Sequence, residues 1–323
     1  MTAQSPLLCV RDLSVSFDLG SAWFGPKKEL KAVNGISFDV APGETLALVG
    51  ESGCGKTTLG RAIVGLYPLA GGSVTFKGID LTKGANESQR LARRAIQMIF
   101  QDPYGSLNPR MSVAKVIEEP LEIHRLGNKT VRRERCAELI GQVGLPVDAL
   151  NRYPHQFSGG QRQRIAIARA LGPEPDLIIA DEPLSALDVS IQSQILNLMT
   201  GLKEQRGLAY LFISHDLAAV HHIADRVAVM YLGRIVEIGP RDQVFGAPRH
   251  PYTQALLAAV PKLGRGRRAR GTVLAGDVPS PLDLPKGCAF HPRCPKAQAI
   301  CQQTTPDLPP HGGEHAAACH FPD

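Results

Sequence analysis

The chain has 323 residues, 43% hydrophobic and 20% charged, which suits one large folded domain with a small appendage or two modest domains. No run approaches the roughly 18 apolar residues of a membrane span, and the start, with Arg11 and Asp12 close behind Leu7 and Val10, lacks the apolar core of a secretion signal. Net charge is +6, from 36 basic and 30 acidic residues, which is weak evidence of a polyanion partner, and 5% aromatics do not suggest a stacking platform for nucleic acid.

Alternation of Leu8, Val10, Leu13, Val15 and Phe17 with polar neighbours predicts a strand over 7–17. A second strand, roughly 31–40, leads to the Ala41-Pro42-Gly43-Glu44 turn and then to a short apolar strand, 45–49. From Lys56 a helix runs through Leu59, Ile63 and Leu66, and Gly71-Gly72 turns into a strand at 73–76. Over 110–171 helical periodicity dominates, with turns at Leu126-Gly127-Asn128 and Gly144-Leu145-Pro146, so a helical insertion is expected. Strands at 177–180 and 209–213 flank a helix at 190–205, the alternation of an α/β core. Strands 226–231 and 234–238, joined by Gly233, read as a hairpin, and a short helix over 252–260 stops at Pro261. The run Gly264-Arg265-Gly266-Arg267-Arg268-Ala269-Arg270 reads as an exposed basic linker. From Pro279 onward Pro, Gly, Cys and His dominate, and so little apolar material needs another source of stability.

Gly50-Glu51-Ser52-Gly53-Cys54-Gly55-Lys56-Thr57 fits the phosphate-loop pattern at every fixed position. Gly50, Gly53 and Gly55 let backbone N–H groups converge on phosphates at a helix start. Lys56 is expected to reach the β- and γ-phosphates of ATP, and the Thr57 hydroxyl to ligate Mg²⁺, with Thr58 adding a second hydroxyl. Asp181 ends an apolar strand and can hold Mg²⁺ through water, while Glu182 beside it can orient the attacking water as general base. Two acids capping the next helix is the plainer alternative. Gln101 and His215 also follow apolar runs, so the first can reach Mg²⁺ or water and the second can donate to the γ-phosphate. Four polar residues ending separate short strands are expected to form one cleft. Ser158-Gly159-Gly160-Gln161 offers a hydroxyl and bare N–H groups at another helix start. One complete phosphate loop has little need of a second phosphate cradle, so a site shared between two subunits accounts for both.

With these motifs the chain resembles the ATP-binding subunits of ABC transporters over roughly residues 7–260. Gln101 matches the Q-loop, Ser158–Gln161 the signature, Asp181 and Glu182 the second Walker motif, Ser185–Asp188 the D-loop, and His215 the switch histidine. Phe157 stands where the family most often has leucine. The resemblance implies a P-loop NTPase fold of the ABC type, α/β, with an antiparallel β subdomain and the helical insertion. It also implies an aromatic stacked on adenine, for which Phe17 fits best and Trp23 and Phe24 compete. Two such subunits, identical or homologous, would pack head to tail around two ATP molecules, Ser158–Gln161 and Asp188 of each facing the other's nucleotide. Closure would drive two membrane-spanning permease subunits, fed by an extracytoplasmic solute-binding protein, from the cytoplasmic face of the membrane.

Gln101–Arg110 and His250–Leu257 look like the oligopeptide/dipeptide importer ATPases, a subfamily shared with nickel, glutathione and some sugar importers. Tyr104 and Leu107 suggest a socket for a permease helix, or ordinary turn packing. An ABC-type ATPase of DNA repair or translation usually shows a long coiled coil or two sites in one chain, and neither pattern is present. Seven cysteines without a signal point to a reducing compartment, and four of them, Cys288, Cys294, Cys301 and Cys319, crowd the end. Four thiolates can hold a [4Fe–4S] cluster, the favoured reading, or zinc, with His291, His311, His315 or His320 able to replace a thiolate. Unligated thiols are the third reading. The expected division is an ATPase domain over 1–262, its helical part about 110–171, followed by a linker and cysteine-rich extension over 263–323.

Overall fold

Two long strands open the chain, β1 (Leu8–Leu19) and β2 (Lys28–Val40), and in β1 Leu8 and Val10, then Leu13 and Val15, are buried at a spacing of two, the alternation slipping by one residue at Asp12 (φ 47°). The computed structural model describes residues 5–20, 28–84, 86–259, 277–309 and 314–323. Next come β3 (Thr45–Val49), buried at every residue, then α1 (Lys56–Ile63), β4 (Gly71–Phe76) and β5 (Ile79–Asp80). Helix α1 stops at Ile63, so Leu66 lies past its end and is 55% exposed. Helix α2 (Glu87–Arg94) has no apolar stripe and starts on a capping box between Asn86 and Gln89. Strand β6 (Ile96–Ile99) and the single turn α3 (Pro103–Ser106) precede the expected helical insertion. The insertion consists of α4 (Val113–Ile123), α5 (Lys129–Gln142) and α6 (Gly159–Leu171). After it the chain forms β7 (Leu177–Asp181), α7 (Val189–Arg206), β8 (Ala209–Ile213) and α8 (Leu217–Ile223). Then follow β9 (Arg226–Tyr231), β10 (Arg234–Pro240), α9 (Arg241–Gly246) and α10 (Pro251–Ala258). The C-terminal segment adds α11 (Ala299–Gln303) and the short β11 (Ala316–Ala317). The basic run 264–270, His311, Trp23 and Phe24 lie outside the described residues.

The molecule divides into two compact units. The first comprises Met1–Leu8, Val40–Thr45 and Thr75–Ile213. Its strands β6, β7 and β8 are parallel, with Met98 opposite Ile179 and Asp181 opposite Ile213. Both β7 and β8 are buried at every position, and beyond their carboxyl ends, the edge where an open parallel sheet carries its site, the chain becomes half-buried at Glu182 and exposed at His215.

The second unit comprises Cys9–Asp39, Leu46–Val74 and Ser214–Asp323. Here β3 runs parallel to β9, Val49 facing Val229, and β9 turns through Leu232 and Gly233 (φ 42° and 80°) into antiparallel β10. That is the expected hairpin, with the two left-handed residues that a tight turn requires. Strand β11 pairs with the far edge of β10, Glu237 facing Ala317. Glu237 is fully buried and accepts from the N–H groups of Arg249 (2.8 Å) and His250 (2.9 Å) and pairs with His315 Nε2 (2.6 Å). One carboxylate thus ties the start of α10 and the last strand to the sheet.

His250 itself caps α10, its Nδ1 accepting from the Tyr252 N–H at 3.0 Å. Burial pushes its imidazole down to about 4, so the folded chain keeps it neutral. Between pH ~6.5 and ~4 the unfolded chain takes up a proton there that the folded chain refuses, so this contribution is complete above ~6.5 and lost as pH falls. Hydrogen exchange around α10 and β11 is therefore expected to quicken across that window. His250→Asn, which retains an acceptor without titrating, should flatten the response, and an equally steep loss in the variant would contradict the assignment.

Candidate functional site

In the second unit the phosphate loop follows β3 and feeds α1. Gly55 is the N-cap of that helix in the left-handed region (φ 106°), and no side chain caps it. A helix start without a side-chain cap is the kind of place where an anion is favoured. A Cβ on Gly50 (φ 154°) would lie 2.2 Å from the Met230 carbonyl oxygen, and one on Gly55 would lie 2.1 Å from that of Ala32. Larger residues at either place would force the loop off the strands beneath it. Gly53 (φ 80°) is exposed and unobstructed, as Ser52 is exposed. Lys56 is 4% exposed and donates its Nζ to the carbonyls of Gly50 (2.8 Å) and Glu51 (3.0 Å), folded over the loop it serves. Thr57 and Thr58 are half-buried on the first turn of α1. Cys54 is a buried thiol whose pKa burial pushes up, so it is packing rather than nucleophile.

His215 is exposed just beyond β8, and the neighbouring Ser214 N–H donates to the Leu48 carbonyl at 3.2 Å. That bond sets His215 beside the strand leading into the phosphate loop. Phe17 is half-buried on β1, its ring edge-on to Tyr67 with centroids 5.2 Å apart. Glu51 was not singled out by its sequence, yet all its polar groups are held. Its carboxylate accepts a bidentate pair from Arg293 (2.9 and 3.0 Å), and its N–H donates to the Tyr252 hydroxyl (2.9 Å). No local signal announces a partner 242 residues away.

In the first unit Asp181 ends β7 fully buried, and Glu182 follows with φ 45°. A left-handed glutamate is strained backbone, and here it is fixed from both sides. The Glu182 N–H donates to the Ile213 carbonyl (2.9 Å), and its own carbonyl accepts from the Ser185 N–H (3.2 Å). Gln101 reaches across to donate its Nε2 to Glu182 Oε2 at 2.8 Å. The two acids do not cap the next helix, since the N-cap of α7 is Asp188, which makes no side-chain cap bond.

Ser158 caps α6 in a capping box with Gln161: the Ser158 hydroxyl accepts from the Gln161 N–H (3.4 Å), and Gln161 Oε1 accepts from the Ser158 N–H (3.0 Å). A Cβ on Gly160 would lie 2.4 Å from Ile191 Cγ2 of α7, and one on Gly159 3.4 Å from Leu187. The glycines thus bring the signature and the D-loop together within this unit. Phe157, in place of the commoner leucine, is buried under the Arg152 guanidinium at 4.4 Å. Tyr104 is 59% exposed, whereas Leu107 is 1% exposed. Leu107 is therefore packing, and Tyr104 alone, with the Arg162 guanidinium 3.8 Å over its ring, faces outward.

The expected metal centre at Cys288, Cys294, Cys301 and Cys319 does not appear in ion-holding form. Among the described residues no group of three or more His, Cys, Asp or Glu is set to hold a metal ion. Burial pushes up the pKa of the thiols of Cys288, Cys294 and Cys319. All four cysteines nonetheless line one small cavity, with His291 and His320. Among the described residues no helix is long and apolar enough to cross a membrane.

An ABC transporter family profile matches residues 33–185, and a profile for the C-terminal region of oligopeptide/dipeptide transporters matches 236–301. The chain is 51% identical to the dipeptide transport ATP-binding protein DppF of Escherichia coli (strain K12), across 98% of this chain and 95% of that one. It is 50% identical to the oligopeptide transport ATP-binding protein AppF of Bacillus subtilis (strain 168), across 99% of each. Among solved structures it is similar to the ATP-binding cassette MJ0796, captured as a post-hydrolysis dimer with ADP and phosphate (TM-score 0.64, 26% identity, 72% of this chain and 98% of that one). A similar match is cbiO1 from Clostridium perfringens, part of the transporter complex cbiONQ (TM-score 0.64, 26% identity, 76% and 92%). The α/β fold is that of the ABC cassette. Sharing half its residues with relatives along nearly their whole length, this chain belongs to the ABC transporter ATP-binding proteins of the oligopeptide/dipeptide family.

Proposed function

We infer that the chain is the ATP-hydrolysing subunit of an importer of dipeptides or oligopeptides. The observation that carries the hydrolytic reading is Glu182, held in a left-handed backbone directly after the buried Asp181 with its carboxylate on the Gln101 amide. The peptide reading rests on the two relatives named for dipeptide and oligopeptide transport and on the matched C-terminal region.

In this reading ATP seats its phosphates on the loop of Gly50, Ser52, Gly53, Cys54, Gly55, Lys56, Thr57 and Thr58. Lys56 exchanges the Gly50 and Glu51 carbonyls for phosphate oxygens, and Phe17 stacks on adenine. Thr57, Gln101 and Asp181 would hold Mg²⁺, an all-oxygen donor set suited to a hard cation, whose charge would offset that of the phosphates. Gln101 spends its amide N–H on Glu182, which leaves its carbonyl oxygen for the metal. Glu182 orients water for in-line attack and accepts its proton, while His215 donates to the γ-phosphate. Ser158, Gly159, Gly160, Gln161 and Asp188 then serve the ATP of a second ATPase subunit. With γ-phosphate touching both chains, ATP favours the paired state, and its loss separates them. Two permease subunits and a solute-binding protein complete the importer, with this chain peripheral on the cytoplasmic face.

Replacing Glu182 by Gln should keep ATP binding, slow turnover by roughly 10²-fold or more, and accumulate an ATP-bound pair in gel filtration. Near-normal turnover by the variant in its transporter would remove the base assignment.

A second reading concerns the C-terminal segment. Cys288, Cys294, Cys301 and Cys319 are proposed as ligands of a [4Fe–4S] cluster, with zinc as the alternative, because all four line one cavity. Such a group would supply folding free energy where apolar burial is small. Anaerobic purification is expected to give about four irons per chain, the content of a cubane. Stoichiometric zinc would switch the assignment, and no metal would remove it.

A further inference from the structure

Glu51 is the second residue of the phosphate loop and carries a negative charge where a polyanion is to bind. Its three polar groups have fixed partners, all within the second unit. The carbonyl accepts from Lys56 Nζ (3.0 Å) and the Cys54 N–H (3.3 Å). The N–H donates to the Tyr252 hydroxyl (2.9 Å), and the carboxylate is forked by Arg293 (2.9 and 3.0 Å). Two of the three tethers come from the C-terminal region.

That region is itself firmly seated. Arg293 is 9% exposed and ends a short 3₁₀ turn, His291–Arg293. The preceding Phe290 closes a buried ring cluster with Tyr231 and Tyr252, its centroid 5.4 Å from each. The Tyr231 hydroxyl also accepts from Arg293 at 3.4 Å. A bidentate guanidinium–carboxylate pair fixes direction as well as charge. Here it neutralises the Glu51 carboxylate and anchors the loop backbone one residue after Gly50. Removing the guanidinium leaves a bare carboxylate beside incoming phosphates and frees the loop.

We propose that Arg293 is a positioning residue for the phosphate loop, acting through Glu51, so that nucleotide affinity depends on the seating of the C-terminal segment. This rests on the loop being the ATP site, and Lys56→Ala tests that premise separately. If the unaltered chain binds ATP and Lys56→Ala binds it equally well, the ATP-site assignment fails, whatever Arg293 does.

The test uses the full-length chain, with MgATP binding followed by calorimetry and hydrolysis by phosphate release. Arg293→Met should weaken ATP binding and raise KM by about tenfold with kcat changed far less, the coupling expected of contacting charged groups. Arg293→Lys, which keeps the charge but loses the fork, should recover part of the affinity. Combined with Glu51→Gln, Arg293→Met should cost little beyond the worse single change. A lowered melting temperature with unchanged ATP affinity would make Arg293 merely structural and overturn the proposal, as would losses that add fully in the double variant. If Arg293→Met does not fold, Arg293→Lys decides alone: affinity intermediate between none and full supports positioning, and unaltered affinity and KM refute it.

Discussion

A phosphate loop that enters its helix on a left-handed glycine, without a capping side chain, has to be held in shape by partners elsewhere in the fold, and the surroundings of this loop follow from that constraint. Gly55 enters α1 in a conformation that ordinary residues resist, and no side chain caps the helix there. Gly50 and Gly55 press against the carbonyls of Met230 and Ala32, so the strands beneath the loop leave no room for a Cβ. Such a loop is poorly stabilised by its own contacts. Lys56, Tyr252 and Arg293 supply the tethers, and the ring cluster of Tyr231, Tyr252 and Phe290 supports two of them.

The same economy of backbone appears in the first unit. Strands β7 and β8 are buried throughout, and the chain places Asp181 at the buried end of β7 and Glu182, half-buried, directly after it. Glu182 is held in left-handed backbone by the Ile213 carbonyl and the Ser185 N–H, and its carboxylate by the Gln101 amide. Strain of about 1–3 kcal/mol persists only where surroundings over-determine it, and the two backbone partners do so here. In the proposed role as general base, a carboxylate fixed in this way would meet a water without reorganising first.

Much of this was legible because the chemistry demands particular residue types at particular strand ends. Gly50 to Thr57, Asp181-Glu182 and Ser158 to Gln161 each combine a residue pattern with a change of periodicity, and each lies where that change placed it. Helix α2 was invisible because Gln89 and Ala92 are its only buried residues and a capping box, not an apolar stripe, starts it. The end of α1 was overrun because Leu66 continues the helical spacing after the helix has stopped. Leu107 read as a possible socket, since sequence cannot show that a lone apolar residue on a polar loop is turned inward. The pairing of Glu51 with Arg293 links distant parts of the chain, and nothing in either neighbourhood announces it.

The central claim is that ATP turnover at the loop around Lys56 powers entry of peptides. The direct measurement is uptake of a radiolabelled dipeptide and a longer peptide by vesicles holding the assembled importer, with ATP enclosed on the side of this chain. Uptake should require ATP hydrolysis and vanish with Lys56→Ala in this subunit. Uptake that persists in that variant, or ATP-driven uptake of nickel or glutathione with none of peptide, would contradict the account.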